Sequence, residues 1–224
     1  MSEAYWRPIW ESKATEGDFA ASGRSSGDPG QLFALLADAA AALELNPKDV
    51  LLDVGCGVGL LARHLAPYVE TLVCVDFAIP LLLRAREQAP RGRYAAGRIQ
   101  ALPFREAAFT KLMASGVLPY LGDDATVGRA LREMRRLTAP GGRAFASGNP
   151  DRRKKDEYIA GIDRLDFPEE RKEQIRERNR QAYWLSPEGL AAQGAEAGWE
   201  VEVCAIASSV WQSFYMFDLK LIAR

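Results

Sequence analysis

The sequence predicts an α/β fold in which helices cover both faces of a mostly parallel sheet. From Val50 onward, short apolar runs of strand length alternate with segments of helical period, the signature of successive βα units. A glycine-rich turn, "GCGVG", joins the first such run to a helical pattern, and an acid, Asp76, closes the second run. A chain of 224 residues suits one α/β domain with an insertion, and residues 1–224 are read as a single domain.

Residues 1–27 are aromatic at first (Tyr5, Trp6, Trp10, Phe19) and then rich in Gly and Ser, which reads as an arm followed by a loop. A first helix follows, with Asp28 as cap, Pro29 in its first turn, an apolar stripe from Leu32 to Leu43, and Asn46-Pro47 as its stop. Strands are expected at 50–54, 71–75, 92–97, 109–115 and 142–148, with helices between them at about 59–66, 79–89 and 123–138. Pro140-Gly141-Gly142 is the turn that returns the last of these helices to the sheet. Residues 149–182 break the rhythm: acids and bases interleave with few large apolar residues, as in a solvated helical insertion. Beyond it, "SPEGLAAQGAEAGWEVEVCAIA" reads as a capped helix, a glycine turn and a strand, and "FYMFDLKLIAR" as a final strand.

Charge and cysteines narrow the function classes. The formal net charge of −1 offers no field for nucleic acid or an anionic membrane, and the acids among the insertion's bases cancel what phosphate binding requires. The run Arg152, Arg153, Lys154, Lys155 therefore does not imply a phosphorylated substrate. Cys56, Cys74 and Cys204 lack metal or disulfide spacing, so no metal site is expected. With no signal-peptide pattern at the start and no apolar run of membrane length, a cytoplasmic location is expected.

A strand ending at Val54, three glycines on alternate positions (Gly55, Gly57, Gly59) and a helix beginning near Gly59 make a loop whose backbone can approach a ligand closely. A dinucleotide fingerprint, GxGxxG, would place its third glycine at position 60, where Leu60 stands; the spacing here is GxGxG. Asp76, at the carboxyl edge of the next strand, suits the two hydroxyls of a ribose, although an acid there can equally cap a turn.

The ordered segments "VLLDVGCGVGLLARHLA", "LVCVDFAIPLLLRARE", "LPFREAAFTKLMASGVLPYL" and "LREMRRLTAPGGRAFASG" together resemble the class I S-adenosylmethionine-dependent methyltransferases, in their small-molecule branch, over roughly residues 48–148. The resemblance implies a Rossmann-like three-layer sandwich with a seven-stranded sheet in the order 3-2-1-4-5-7-6, its last strand antiparallel. It implies S-adenosyl-L-methionine as cofactor: Asp53, Gly55 and Gly57 around the methionyl part, Gly59 as a further residue of the cofactor loop, Asp76 on the ribose, Phe77 on the adenine, Arg98 and Ile99 at the adenine edge, and Ser115 and Gly116 as a backbone turn near the amino acid moiety. The family commonly has an acid where this chain has Arg98, and an arginine cannot accept a hydrogen bond from the adenine amino group. Thr110 likewise replaces a frequent aspartate at the start of strand four.

Methyl transfer from a sulfonium needs an in-line nucleophile and exclusion of water more than it needs an acid. Trp6, Trp10, Arg24, Tyr183 and Trp184 are candidates for a lid or for substrate contacts, although each aromatic can equally close the core. Tyr120, in "GVLPYL", stands where the family places acceptor chemistry, to shape the pocket or hydrogen-bond the acceptor; a phenol is a poor base. His64, the single histidine, is read as structural. The reading is methyl transfer to a small-molecule acceptor, with a nicotinamide-dependent oxidoreductase or a non-catalytic binding protein as alternatives.

Overall fold

A computed structural model of the chain describes residues 3–23, 28–206 and 211–224. Seven strands form one sheet: β1 (Val50–Val54), β2 (Thr71–Asp76), β3 (Arg93–Ala96), β4 (Phe109–Ser115), β5 (Thr138–Pro150), β6 (Trp199–Ala205) and β7 (Met216–Ala223). Their order is β3-β2-β1-β4-β5-β7-β6, as the resemblance implied. The first five strands pair in parallel, while β7 runs antiparallel to both β5 and β6. Because β1 lies between β2 and β4, the chain leaves the sheet in opposite directions on either side of it, and a crevice opens at the carboxyl ends of β1 and β4.

Alternation along each strand builds two cores. Leu52, Val54, Val73, Val75, Leu112 and Ala114 face one side, against helices α6 (Asp124–Leu137) and α9 (Pro187–Glu196). Leu51, Leu72, Cys74 and Met113 face the other, against α3 (Pro29–Leu43) and α5 (Ile79–Gln88). Burial on both faces explains why the central strands read as continuous apolar runs. The helix starts follow the capping residues: Asp28 accepts from the Gly30 N–H at 2.9 Å, Asp123 from that of Thr126 at 2.6 Å, and Ser186 from that of Gly189 at 3.1 Å. Thr110 closes the base of the sheet, donating to Asp49 Oδ1 at 2.8 Å and accepting from the Val50 N–H at 3.0 Å. None of the helices among the described residues is long and apolar enough to cross a membrane.

Three expectations need correction. The aromatic start, read as an arm and a loop, is helical: it forms α1 (Glu3–Ser12), a short 3-10 turn and α2 (Asp18–Ala21). Asp18 fixes it to the body, accepting from Arg63 at 2.7 Å, Arg84 at 2.6 Å and Gln88 at 2.8 Å. The helix expected at 59–66 shrinks to α4 (Ala62–Leu65), because Gly57 and Gly59 at φ 55° and 77° hold the preceding residues in turns and Pro67 ends helical bonding early. Finally, β5 starts at Thr138, before Pro140; its register against β4 jumps from Phe109↔Thr138 to Lys111↔Arg143, so the Pro-Gly-Gly turn is a bulge within the strand.

The insertion is helical, with α7 (Lys155–Gly161) and α8 (Glu169–Gln181), and its exposed charges pair with each other. Arg176 meets Glu169 and Glu173 at 2.8 Å each and also Asp163, while Arg180 meets Glu173 at 2.9 Å.

Candidate functional site

A cavity of about 670 Å³ occupies the crevice at the ends of β1 and β4, a size in the range that takes small-molecule ligands. Its floor is the glycine loop, and each glycine there has a different reason. A Cβ at Gly55 would come within 2.4 Å of the Val117 side chain, so Gly55 lets the loops after β1 and β4 meet. At Gly59 a Cβ would press on Ala85 of α5 at 3.1 Å; Gly59 packs a helix and does not line the cavity, contrary to the sequence expectation. Gly57 differs from both: at φ 55° its would-be Cβ meets no atom within 4 Å. The same holds for Gly116 across the cavity, at φ 66°. Two bare backbone positions thus border open space from opposite loops.

Four amides of the loop are spent within the protein. Gly55 and Cys56 donate to the Val75 carbonyl at 2.7 and 3.1 Å, and the Gly59 N–H goes to the Cys56 carbonyl at 2.9 Å. The Gly57 N–H donates to Asp76 Oδ2 at 2.8 Å, while Ala78 donates to Oδ1 at 2.8 Å. Asp76 is therefore the cap of its own loop as well as a wall of the cavity. Each of its oxygens keeps a further lone pair for a ligand hydroxyl. Burial raises the Asp76 carboxyl above its usual range, against the pull of these backbone bonds.

Asp53 is the more perturbed of the two acids. It lies on β1 beside the loop and is only 3% exposed; burial first, and then the neighbouring Asp76 charge, pushes its carboxyl from 3.8 to about 7. Such a carboxyl gains most from a cation placed next to it. Phe77 lines the cavity half-buried, its carbonyl accepting from Arg7 at 2.8 Å and its ring 5.4 Å from the Arg7 guanidinium. Ile99 is buried and Arg98 exposed at the same edge, and Arg98 makes a short antiparallel bridge to Ala101. Ser115 accepts from the Ser147 hydroxyl at 2.9 Å, and the Gly116 N–H donates to the Ser147 carbonyl at 2.8 Å, tying the ends of β4 and β5 at the cavity wall.

Above the loop, Trp6 and Trp10 of α1 meet Tyr120 edge-on, with ring centroids 4.7 and 5.1 Å apart. All three line the cavity, so α1 is its roof. Burial raises the Tyr120 phenol above 10, outweighing the opposing Arg178 charge. Cys56 also lines the cavity; the Cys74 thiol and then burial push its thiol well above its usual range, which keeps it un-ionised. His64 lies outside the cavity, accepts from Arg63 Nε at 3.3 Å and has its pKa lowered by burial and then by Arg63.

Two lid candidates are placed elsewhere. Tyr183 sits outside the cavity, its hydroxyl accepting from Arg152 at 2.8 Å and its N–H donating to the Pro119 carbonyl at 2.7 Å. Trp184 is 2% exposed in a small cluster with Tyr158, Ile162, Ile175 and Tyr215, and its indole donates to the Asn179 carbonyl at 2.8 Å. The bland reading of both, that such aromatics close a core, is the one the packing follows. Arg24 lies outside the described residues.

Sequence reasoning missed the far end of the cavity. Tyr158 and Tyr215, with ring centroids 4.3 Å apart, form one wall, and Arg178, Asn179 and Ala182 another. A signal was present: Ile175, Arg178, Asn179 and Ala182 follow the i, i+3, i+4, i+7 pattern of one helix face, hidden in a segment dominated by charge. Two polar atoms among the described residues of this cavity are buried without a hydrogen-bond partner, Trp6 Nε1 and Gln212 Oε1.

Comparison with known proteins adds a family. Residues 52–146 match the protein family described as a methyltransferase domain. The chain is 31% identical over 99 residues to a malonyl-[acyl-carrier protein] O-methyltransferase of Pseudescherichia vulneris, spanning 44% of this chain and 38% of that one. It is 34% identical over 103 residues to a demethylmenaquinone methyltransferase of Mycolicibacterium vanbaalenii, spanning 46% and 42% of the two chains. This chain thus spans less than half the length of these curated relatives. Among solved structures, a phosphoethanolamine N-methyltransferase of Haemonchus contortus, in complex with phosphoethanolamine and S-adenosylhomocysteine, superposes with a TM-score of 0.74 at 14% identity, covering 98% of this chain and 48% of that one. That likeness is one of fold.

Proposed function

Because residues 52–146 form a methyltransferase domain of the class I S-adenosylmethionine-dependent family, we propose that this chain transfers a methyl group from S-adenosylmethionine to a small-molecule acceptor held beneath α1. The observation that carries the proposal is the pair of bare glycines, Gly57 and Gly116, facing open space beside two buried acids. A cofactor with a ribose diol to donate and a methionyl end made positive by its sulfonium fits those buried acceptors. S-adenosylmethionine, when bound, supplies a methyl group already activated on a sulfonium.

The residues of the chain then have the following work. Asp76 uses its remaining lone pairs for the ribose hydroxyls. Asp53 faces the positive methionyl end, whose charge favours its ionised form. Phe77 offers a flat face to the adenine, with Ile99 and Arg98 at its edge. Ser115 and Gly116 bound the amino acid end. Gly55 and Gly59 act through packing, which keeps Gly57 where it is. Trp6, Trp10 and Tyr120 exclude water and shape the space for the acceptor. Proton removal is not assigned to any of them: His64 is outside the cavity, and the phenol of Tyr120 is held in its protonated form. The acceptor therefore enters as a nucleophile in its own right, and its reacting atom is oxygen, nitrogen or carbon.

Calorimetric titration with S-adenosylmethionine, S-adenosylhomocysteine and NAD tests the proposal, followed by a methyl-transfer screen of small acceptors. Saturable binding of the adenosyl compounds with turnover is expected. Binding of NAD in their place would refute it.

A further inference from the structure

The acceptor end of the cavity holds a positive charge that no carboxylate of the described protein pairs with. On α8, Arg176 and Arg180 are engaged by Asp163, Glu169, Glu173 and Glu177, and Arg171 lies over the Phe167 ring at 4.6 Å. Arg178, on the same helix, makes no ion pair among the described residues and lines the cavity instead. Burial raises the phenols of Tyr120, Tyr158 and Tyr215, and the Arg178 charge opposes that rise at each of them, in keeping with a guanidinium set among the aromatic walls. A half-buried guanidinium among rings, with acids spent on its neighbours along the helix, is a site waiting for an anion.

Trp6 adds an independent observation. Its indole is 1% exposed, its Nε1–H has no acceptor, and it lines the same cavity, edge-on to Tyr120. An orphaned buried donor calls for an acceptor atom on whatever fills the space. Most acids of the cavity have other tasks: Asp28 accepts from the Gly30 N–H at 2.9 Å, Asp123 from that of Thr126 at 2.6 Å and Asp218 from that of Gly148 at 2.8 Å, Asp53 and Asp76 flank the glycine loop, and Asp38 lies on α3, away from the α8 wall in sequence. An orphaned donor at Trp6, flat walls and a fixed cation together select for a flat molecule that carries an anionic group, while the orphaned Gln212 Oε1 leaves room for one donor elsewhere on it.

We infer that the acceptor is a small carboxylic acid with an aromatic or similarly flat apolar body, its carboxylate seated on Arg178. The inference rests on the methyl-transfer reading and names the substrate class of that site. A guanidinium meets a carboxylate through two parallel hydrogen bonds, which fixes the orientation of the acceptor as well as its charge.

The test has two arms. S-adenosylhomocysteine is titrated into the wild type, Arg178→Met and Arg178→Lys; equal affinity is expected in all three, since Arg178 belongs to the insertion and not to the cofactor loops. The loaded proteins are then titrated with benzoate, phenylacetate and indole-3-acetate and with the matching carboxamides. At least one acid should bind the wild type roughly tenfold or more tightly than its amide, Arg178→Met should lose that preference, and Arg178→Lys should keep part of it. Amides equal to acids, a preference surviving in Arg178→Met, or no binding of any acid would overturn the inference. Wild type that fails to bind S-adenosylhomocysteine brings down the methyl-transfer reading itself; binding without acid preference brings down this inference alone.

Discussion

Replacing Asp53 by asparagine separates the cost of a buried acid from its use. The rise of its carboxyl from 3.8 to about 7 means that the ionised form is disfavoured in the folded protein by up to about 4 kcal/mol. The folded pKa exceeds the unfolded one, so between those values the folded state binds the extra proton. Stability therefore falls as pH rises from about 3.8 to about 7 and is level above. Asp53→Asn removes that loss: the variant should match the wild type near pH 4 and exceed it at pH 8 by up to about 4 kcal/mol in denaturant unfolding. Binding should show the opposite trend. Wild-type affinity for S-adenosylmethionine should improve as pH rises through 7, whereas in Asp53→Asn it should be weaker and flatter with pH. Parallel stability curves for the two proteins would refute the assigned burial cost, and an unchanged affinity would refute the role beside the cation.

The other predictions concern the floor, the roof and the clamp. Gly57→Val should leave a folded protein, destabilised by about 1–2 kcal/mol for its left-handed backbone, that no longer binds S-adenosylhomocysteine in calorimetry, because its side chain enters the open space. Tyr120→Phe should retain turnover within about fivefold, since loss of a true general base costs about 100-fold or more; a larger loss in single-turnover assays would restore the phenol to the chemistry. Asp18→Ala should cost about 1 kcal/mol and speed hydrogen exchange across residues 3–23. Burial raises the Asp18 carboxyl, but its bonds to Arg63 and Gln88 and the charges of Arg63 and Arg84 more than offset this and hold it below 3.8. The clamp is therefore complete above that pH and released as pH falls below it, which exchange measured against pH would show.

The sheet was legible because buried parallel strands leave continuous apolar runs between helical periods, and β1, β2 and β4 fall where those runs do. Asp76 stood out as the acid closing an apolar strand, whereas Asp53, one residue from the end of β1, was named only through the resemblance. What each glycine does was not legible. Gly55, Gly57 and Gly59 look alike in sequence, yet Val117 and Ala85, distant along the chain, decide that two of them serve packing. The aromatic candidates divided in a way the sequence could not show: Trp6 and Trp10 line the cavity, while packing against α7 and α8 turns Trp184 inward. Arg178 was concealed by composition, one arginine in a segment dominated by charge, and only the fold turns it toward the cavity.

The clamp at Asp18 has a consequence for how this molecule can change over time. Its partners, Arg63, Arg84 and Gln88, belong to α4 and α5, the segments that follow the glycine loop and the Asp76 loop. The roof is thereby tied to the elements that carry the glycine loop and the Asp76 loop, whereas Tyr158, Arg178, Asn179 and Ala182 at the far end of the cavity come from the stretch between β5 and β6. Substitutions in that stretch can therefore reshape the far end of the cavity without touching the Asp18 clamp.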